Sequence, residues 1–116
     1  MGKTFNQELG QRGEDLAAEF CHKNKFKIVA RNYRCRFGEI DIIAWQDSVL
    51  HFIEVKHRTR DLIPGRFAVN KGKQKRIRST AQYYLTQHNL TNQCLTSFDV
   101  IEITDGCFEF LENCFY

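Results

Sequence analysis

The sequence predicts an α/β fold, or α+β by a stricter label, in which one helix packs on each side of a mixed sheet. Its 116 residues suit a single domain, residues 1–116. Hydrophobic residues make up 42% of the chain and include ten Phe, which is enough for a buried core. Apolar residues recur first at helical spacing, then in strand patterns, and then in both again, so the predicted element order is αβββαββ.

The first predicted element is a helix over residues 6–25, with Asn6 available as its N-cap. A strand of mixed pattern follows over residues 26–33. The residues that recur at helical spacing in the first element are Leu9, Gly13, Leu16, Ala17, Phe20 and Cys21.

Two further strands are predicted over residues 39–46 and 49–58. Gly38 supplies a turn before the first of them, and Asp47-Ser48 is a short polar break between them. A hairpin is the simplest connection across so short a break. If its loop has two residues, Gln46 pairs with Val49.

The rest of the chain predicts a loop, a helix and a second hairpin. The loop covers residues 59–70, and the helix after it ends near Gln87. Strands over residues 97–104 and 107–115 then flank Asp105-Gly106, a dipeptide that favours a type I′ turn. The apolar positions of the second helix are Ile77, Ala81, Tyr84 and Leu85.

Positive charge is concentrated in one segment, although the net charge of the chain is only +3. Residues 56–78 carry nine basic side chains and one acidic side chain. So dense a charge indicates a binding site for phosphates, as in nucleic acid, while a solvated basic face is the alternative. The candidate nucleic-acid-binding residues are Arg58, Arg60, Arg66, Lys71, Lys73, Lys75, Arg76 and Arg78.

Among these basic residues, Lys73 leads into the apolar row of the second helix, so we expect it to point toward the sheet.

The five cysteines have no metal-binding spacing and are interpreted as reduced thiols. No apolar run is long enough to span a bilayer or to form a signal peptide. We therefore expect a cytoplasmic protein without a membrane partner.

Asp41, Glu54 and Lys56 are the candidate catalytic residues. In the predicted hairpin Asp41 falls opposite Glu54, Glu39 falls opposite Lys56, and Glu54 shares a strand face with Lys56. Two facing carboxylates repel each other unless a cation compensates, and Mg²⁺ favours one or two carboxylates together with water and phosphate oxygens. A neighbouring lysine can then hold the attacking water. The alternative is a solvated pair on an exposed strand.

Several motifs follow one another in the order typical of a known family. The chain resembles the YraN-like family of small bacterial proteins, which is similar to the restriction-endonuclease-like, PD-(D/E)xK group and to Holliday-junction resolvases. The resemblance covers residue 10 to the C-terminus. The motifs are Gly13-Glu14, Arg31-Asn32, Gly38-Glu39-Ile40-Asp41-Ile42-Ile43, Phe52-Ile53-Glu54-Val55-Lys56 with Arg58, Lys73 ahead of Ala81 and Leu85, and Phe98-Asp99-Val100.

The resemblance implies a restriction-endonuclease-like core and a metal-dependent site. It implies that Asp41 and Glu54 bind Mg²⁺ or Mn²⁺, that Lys56 positions water, and that Glu14 contributes from the first helix. Ile40 stands where the group's signature has Pro, and Ser97 replaces an Arg often seen before Phe-Asp-Val. A resolvase would also act as a homodimer, because cutting a symmetric junction needs two sites.

The leading hypothesis is thus a metal-dependent endonuclease-like protein acting on branched or structured DNA. Two alternatives stay open: a non-catalytic nucleic-acid-binding module and a protein-interaction adaptor on the same fold. His51 points away from Glu54 in the predicted strand and is interpreted as structural. The Phe residues are interpreted as core side chains, not as a platform for stacking bases.

Overall fold

The computed structural model of the protein has two helices and five strands in the predicted order αβββαββ. It describes residues 5–58 and 69–115, with side-chain surroundings from Gly13 onward, Arg58 excepted. Most of the predicted loop over residues 59–70 therefore lies outside the described residues. The elements are α1 (Phe5–Lys23), β1 (Lys27–Cys35), β2 (Gly38–Gln46), β3 (Val49–Arg58), α2 (Lys71–Gln87), β4 (Leu95–Thr104) and β5 (Cys107–Leu111).

The five strands form one mixed sheet, whose spatial order β1-β2-β3-β4-β5 follows the chain. β3 and β4 pair in parallel, whereas the other neighbouring strands pair antiparallel. A parallel pair needs a long crossover connection, and α2 lies in the connection between β3 and β4. The fold class predicted from the sequence is confirmed.

Both predicted tight turns are present. Asp47 and Ser48 have φ angles of 49° and 68°, and Gln46 pairs with Val49 across them. Positive φ at both central positions is the requirement of a type I′ turn, whose twist matches that of the flanking strands. Asp105-Gly106 joins β4 to β5 in the same way, with φ angles of 49° and 79°.

Each face of the sheet is buried under one helix. Consecutive residues of the central strands point to opposite faces, so that Phe52 and Ile53 belong to different clusters of core residues. The cluster beneath α2 includes Ile43, Phe52, Ile77, Ala81, Tyr84 and Val100. The cluster beneath α1 includes Ala17, Cys21, Ile42, Ala44, Ile53 and Ile101.

The element boundaries differ from the sequence prediction at several places. α1 begins at Phe5, so that Asn6 is a helical residue and not the cap. Gly38 opens β2 and pairs with Cys35, so that it lies just after the turn. β5 ends at Leu111 instead of continuing to residue 115, because the chain turns back at Asn113 (φ 49°).

A buried polar network on the α1 side of the sheet explains two residues singled out in the sequence. The Nδ1 atom of His51 lies 2.7 Å from Oδ2 of Asp99, and the Ser97 hydroxyl donates to Oδ1 of Asp99 at 2.5 Å. The Asn113 N–H donates to the same Oδ1 atom. His51 therefore links β3 to β4, which agrees with its interpretation as structural, and Ser97 holds a buried acid.

Gly13 sets the distance between α1 and the sheet. A β-carbon at this position would lie 3.0 Å from Cβ of His57 in β3, which is closer than carbon atoms normally approach.

In the described part of the chain, neither helix is long and apolar enough to cross a membrane. Cys21, Cys35, Cys94 and Cys107 carry free thiols.

We predict that Gly13→Val destabilises the protein by about 1–3 kcal/mol, because the larger side chain forces α1 away from β3. The measurement is urea unfolding followed by circular dichroism. Glu19→Val is one control, since Glu19 is exposed on the same helix, and Gly72→Val makes the identical substitution at an exposed helical glycine, where an added β-carbon meets no atom closer than 3.4 Å. Equal losses of stability in Gly13→Val and Gly72→Val would contradict the close approach.

Candidate functional site

The backbone is irregular where β1 and β2 pass Asp41. Ile40 and Ile43 both belong to the cluster beneath α2, whereas regular alternation would place residues three apart on opposite faces. On β1, Asn32 has a φ of 52° and lies between the pairs Arg31–Ile42 and Tyr33–Ile40. Both strands therefore change the face they present at this point, and the change positions the Asp41 side chain.

Asp41 and Glu54, here called the acidic pair, meet at the end of the β2–β3 ladder. The paired residues run from Gln46–Val49 to Ile42–Ile53, one position short of the acidic pair. The Val55 N–H donates to Oδ2 of Asp41 at 2.8 Å, so a side chain takes the place of a strand partner. Both acids are about nine-tenths buried. The predicted convergence of Asp41 and Glu54 is thus present.

Two lysines approach Glu54 from different elements. Lys73 of α2 donates from Nζ to Oε1 of Glu54 at 3.3 Å, and Nζ of Lys56 lies 3.9 Å from the same oxygen. Asn70 caps α2 by accepting from the Lys73 N–H, which fixes where the helix starts. The expectation that Lys73 points toward the sheet is confirmed. Glu39, by contrast, pairs with Arg34 of β1 and forms an ion pair with it.

Burial and mutual repulsion perturb the titration of this cluster. Burial, with the adjacent charge of Glu54, raises the pKa of Asp41 to about 7. Burial also lowers the pKa of Lys56, and the neighbouring Lys73 ammonium lowers it further. For Lys73, burial is outweighed by the charge of Glu54 and contact with Lys56, so that its pKa is raised. Of the two lysines, Lys56 thus loses its proton more readily.

Glu14 approaches the acidic pair from α1. Burial, together with the charge of Asp41, raises the pKa of Glu14. The Asn32 side-chain amide, oriented with its nitrogen toward Glu14, donates to both carboxyl oxygens at 3.1 Å. The unusual backbone of Asn32 therefore connects the irregular strand to the helix, and Glu14 lies within electrostatic reach of Asp41.

A pocket of about 210 Å³ opens beside Glu54, and we call it the site pocket. Arg76 of α2 contributes a positive charge to its wall, opposite the exposed carboxyl of Glu39. The residues that line the pocket are Gly38, Glu39, Glu54, Lys73, Arg76 and Ile77.

The side chains that could bind a metal ion suit some metals and not others. Over residues 13–57 and 69–115, no group of three His, Cys, Asp or Glu side chains is arranged to hold a metal ion. This argues against a zinc-type site built from protein ligands alone. Mg²⁺ differs, because one or two carboxylates suffice when water and phosphate oxygens complete its coordination.

The remaining basic candidates have different surroundings. Lys71 and Lys75 are exposed on α2. The Arg78 guanidinium lies 4.7 Å from the ring centre of Phe98, a cation–π contact that ties it to the sheet. The side chains of Arg58, Arg60 and Arg66 lie outside the described residues.

Sequence analysis named Arg76 only as one of eight basic candidates and Asn32 only as part of the Arg31-Asn32 motif, and it placed neither beside the acidic pair. Asn32 lies in an extended segment, and the only local signal of its positive φ is that Asn adopts this conformation more readily than most residues. Arg76 lies one helical turn after Lys73, so it faces the same pocket. A helical-spacing argument from Lys73 identifies it.

Comparisons with known proteins agree with the motifs. The sequence matches the family described as Uncharacterised protein family UPF0102 over residues 13–103. A UPF0102 protein of Clostridium perfringens strain SM101 is 44% identical over 102 residues, which cover 87% of this chain and 83% of the relative. A UPF0102 protein of Geobacter metallireducens is 41% identical over 100 residues, covering 85% and 81%.

A UPF0102 protein of Thermodesulfovibrio yellowstonii is 39% identical over 110 residues, which cover 94% of this chain and 96% of the relative. Sequence identity at this level extends over most of both chains. The family match also includes Glu14, Asp41, Glu54 and Lys56, so the findings support a single family. The chain belongs to the UPF0102 family, the YraN-like family that its motifs resemble.

Proposed function

We propose that this protein is a metal-dependent endonuclease-like protein that binds DNA and hydrolyses phosphodiester bonds, with branched or structured DNA as substrate. The observation that carries the proposal is the acidic pair itself: two nearly buried carboxyl groups that interact electrostatically with each other, beside Lys56 and Lys73. Stability alone disfavours such a cluster, since each buried charge needs compensation. Perturbed ionisable groups beside a pocket are typical of functional sites.

The residues present fit a magnesium ion. Asp41 and Glu54 supply two oxygen-donor side chains, and the raised pKa of Asp41 reflects burial and the adjacent charge of Glu54, both of which a bound cation would offset. Asp41 and Glu54 would hold the ion, with water and a substrate phosphate oxygen completing its coordination. When bound, the ion would polarise the phosphate and favour ionisation of a bound water.

The protein's own side chains then have separate tasks. Lys56 has the lowered pKa and lies at the edge of the acidic pair, where it can orient the attacking water or take up its proton. Lys73 and Arg76 border the site pocket and can neutralise the negative charge that develops on the phosphate. Glu14 adds negative charge on the α1 side of Asp41.

The basic surface extends the site along α2. Lys71 and Lys75 are exposed near the helix start, on the same element as Lys73 and Arg76. Such side chains bind the DNA backbone without reading its sequence. A single copy offers one acidic pair, so hydrolysis of both strands of a symmetric junction would require a homodimer.

A non-catalytic nucleic-acid-binding module is the second candidate. The observation in its favour is the Glu54–Lys73 contact at 3.3 Å, which already balances one of the two acids without a metal. This candidate needs the basic surface but not the ionisation of the acidic pair. The two candidates therefore differ in how binding and cleavage depend on Asp41 and Glu54.

Without metal, stability is predicted to fall as pH rises from about 5 to about 8. The pKa of Asp41 is about 7 in the folded protein and 3.8 as its ordinary value, so between these values the folded state holds a proton that the unfolded chain has released. The stabilisation from this group is present at low pH and is lost as pH rises through 7.

Asp41→Asn keeps an acceptor for the Val55 N–H but removes the titration. Relative to wild type, we expect its stability to increase by roughly 2 kcal/mol from pH 5 to pH 8 in EDTA. Urea unfolding at each pH measures the difference, and Glu19→Gln, which changes an exposed acid on α1, is the control. Parallel pH profiles for wild type and Asp41→Asn would show that the acidic pair is not strained.

The direct test of the proposed function is cleavage of labelled four-way-junction, duplex and single-stranded DNA with Mg²⁺ or Mn²⁺. We expect metal-dependent cleavage that is abolished by Asp41→Asn and Glu54→Gln. Lys56→Ala should slow it by about 10²-fold or more, because a positioned proton-transfer group is lost. Glu112→Gln, which changes an exposed acid after β5, should leave the rate unchanged.

Calorimetric titration of Mg²⁺ into wild type and Asp41→Asn provides a second measurement that does not depend on activity. Cleavage that persists in both acid variants would contradict the assignment of the site. DNA binding that weakens steeply with salt, survives Glu54→Gln and is accompanied by no cleavage would select the non-catalytic module.

A further inference from the structure

Two exposed aromatic rings lie together next to the site pocket. Phe37, in the turn between β1 and β2, is 38% exposed, and Tyr83 of α2 is 37% exposed. Their ring centres are 6.2 Å apart and the ring planes are tilted by 62°. The prediction that the Phe residues are core side chains is therefore wrong for Phe37, and also for Phe108, which is 39% exposed.

The two rings border a surface groove of about 330 Å³, which we call the aromatic groove. Ser79 and Thr86 place hydroxyl groups beside the rings, so the groove offers hydrogen bonds as well as apolar surface. Its lining residues are Phe37, Ser79, Gln82, Tyr83 and Thr86.

The aromatic groove continues from the site pocket. Gly38 lines the pocket and directly follows Phe37, which lines the groove. A β-carbon at Gly38 would come within 3.2 Å of Oγ1 of Thr80, so this glycine lets the hairpin approach α2 closely. On α2, Lys73 and Tyr83 are separated by about 15 Å of helix. That distance is within reach of a few nucleotides of one strand.

The charge around the groove is positive. The Arg36 guanidinium lies 4.8 Å from the ring centre of Phe37, and Arg76 lines the site pocket nearby. Aromatic rings beside cations suit a ligand that combines planar bases with phosphates. A wholly apolar partner would gain nothing from the arginines, and a folded duplex has no exposed base faces to offer.

We propose that the aromatic groove binds an unpaired nucleobase of the strand whose phosphate enters the site pocket, by stacking it on Phe37 and Tyr83. This inference rests on the proposed function and deepens it, because it makes single-stranded segments, such as those at branches and flaps, the preferred partner. Stacking tolerates every base, so the groove selects unpaired structure and not sequence.

The test compares two ligands of equal charge, a short oligothymidylate and an abasic oligonucleotide of the same length, by fluorescence anisotropy in EDTA. Wild type should bind the oligothymidylate roughly tenfold or more tightly than the abasic strand. The double variant Phe37→Ala/Tyr83→Ala should bind both strands with the abasic affinity. Both side chains are exposed, so the variant should fold, which circular dichroism checks.

Two single variants separate ring stacking from apolar contact. Tyr83→Phe keeps the ring and should retain the preference for bases, whereas Tyr83→Leu keeps apolar bulk and should reduce it. A wild type that binds both strands equally would overturn the groove but not the proposed function, because cleavage is measured separately with metal. Absence of binding to either strand would overturn the groove, and the proposed function would be overturned only if the cleavage assay with metal also failed.

Light scattering addresses the other occupant, a second copy of the chain. If the double variant dissociates an oligomer while wild type binds the two oligonucleotides equally, the groove is a contact between copies and the inference is wrong. An unchanged oligomeric state together with loss of the base preference supports it.

Discussion

Asp41 and Glu54 bring two carboxyl groups together at the open end of a hairpin whose neighbouring paired side chains on that face are apolar. Burial, together with repulsion between the two groups, raises the pKa of Asp41, and the rest of the site is arranged around this buried pair. The Val55 N–H donates to one oxygen of Asp41. Lysines from β3 and α2 form ion pairs with Glu54. The position of α2 is therefore electrostatic as well as hydrophobic in origin.

The acidic pair and its surroundings also account for two unusual backbone positions, Asn32 and Gly38. Asn32 adopts a positive φ and donates to Glu14, which brings α1 into the electrostatic environment of Asp41. Gly38 permits contact between the β1–β2 turn and α2, which joins the site pocket to the aromatic groove. The proposed function would thus use both helices. Asn32 of β1 connects the site to α1, and Gly38 of β2 connects it to α2.

Much of the fold could be predicted from the sequence, because local chemistry determined it. Asp47-Ser48 and Asp105-Gly106 are short polar breaks between apolar runs, and two-residue turns fix the register of both hairpins. That register brought Asp41 to Glu54, and helical spacing directed Lys73 toward them. Asn6 is not the N-cap, because α1 already includes it. No local pattern in the sequence marks the end of β5.

The parts that could not be predicted depend on tertiary contacts. The face change at Asn32 and Asp41 requires both strands to deviate together, which no periodicity within one strand reveals. Phe37 was assigned to the core because Phe is usually buried, but its place in a tight turn leaves the ring beside Tyr83 at the surface. Arg76 was predicted only as one of several basic residues, and its place in the wall beside Glu54 follows from the pocket.

The parallel pairing of β3 with β4 has a kinetic consequence. The β2–β3 hairpin closes over two residues and can form within microseconds, whereas Val49 pairs with Leu95 only after a long stretch of chain has been organised. The hairpin alone therefore carries both acids before Lys73 arrives with α2. The hairpin by itself leaves the acids open to water on the side that α2 covers, because Lys73 reaches Glu54 only from the crossover. The site is assembled by the step that completes the sheet.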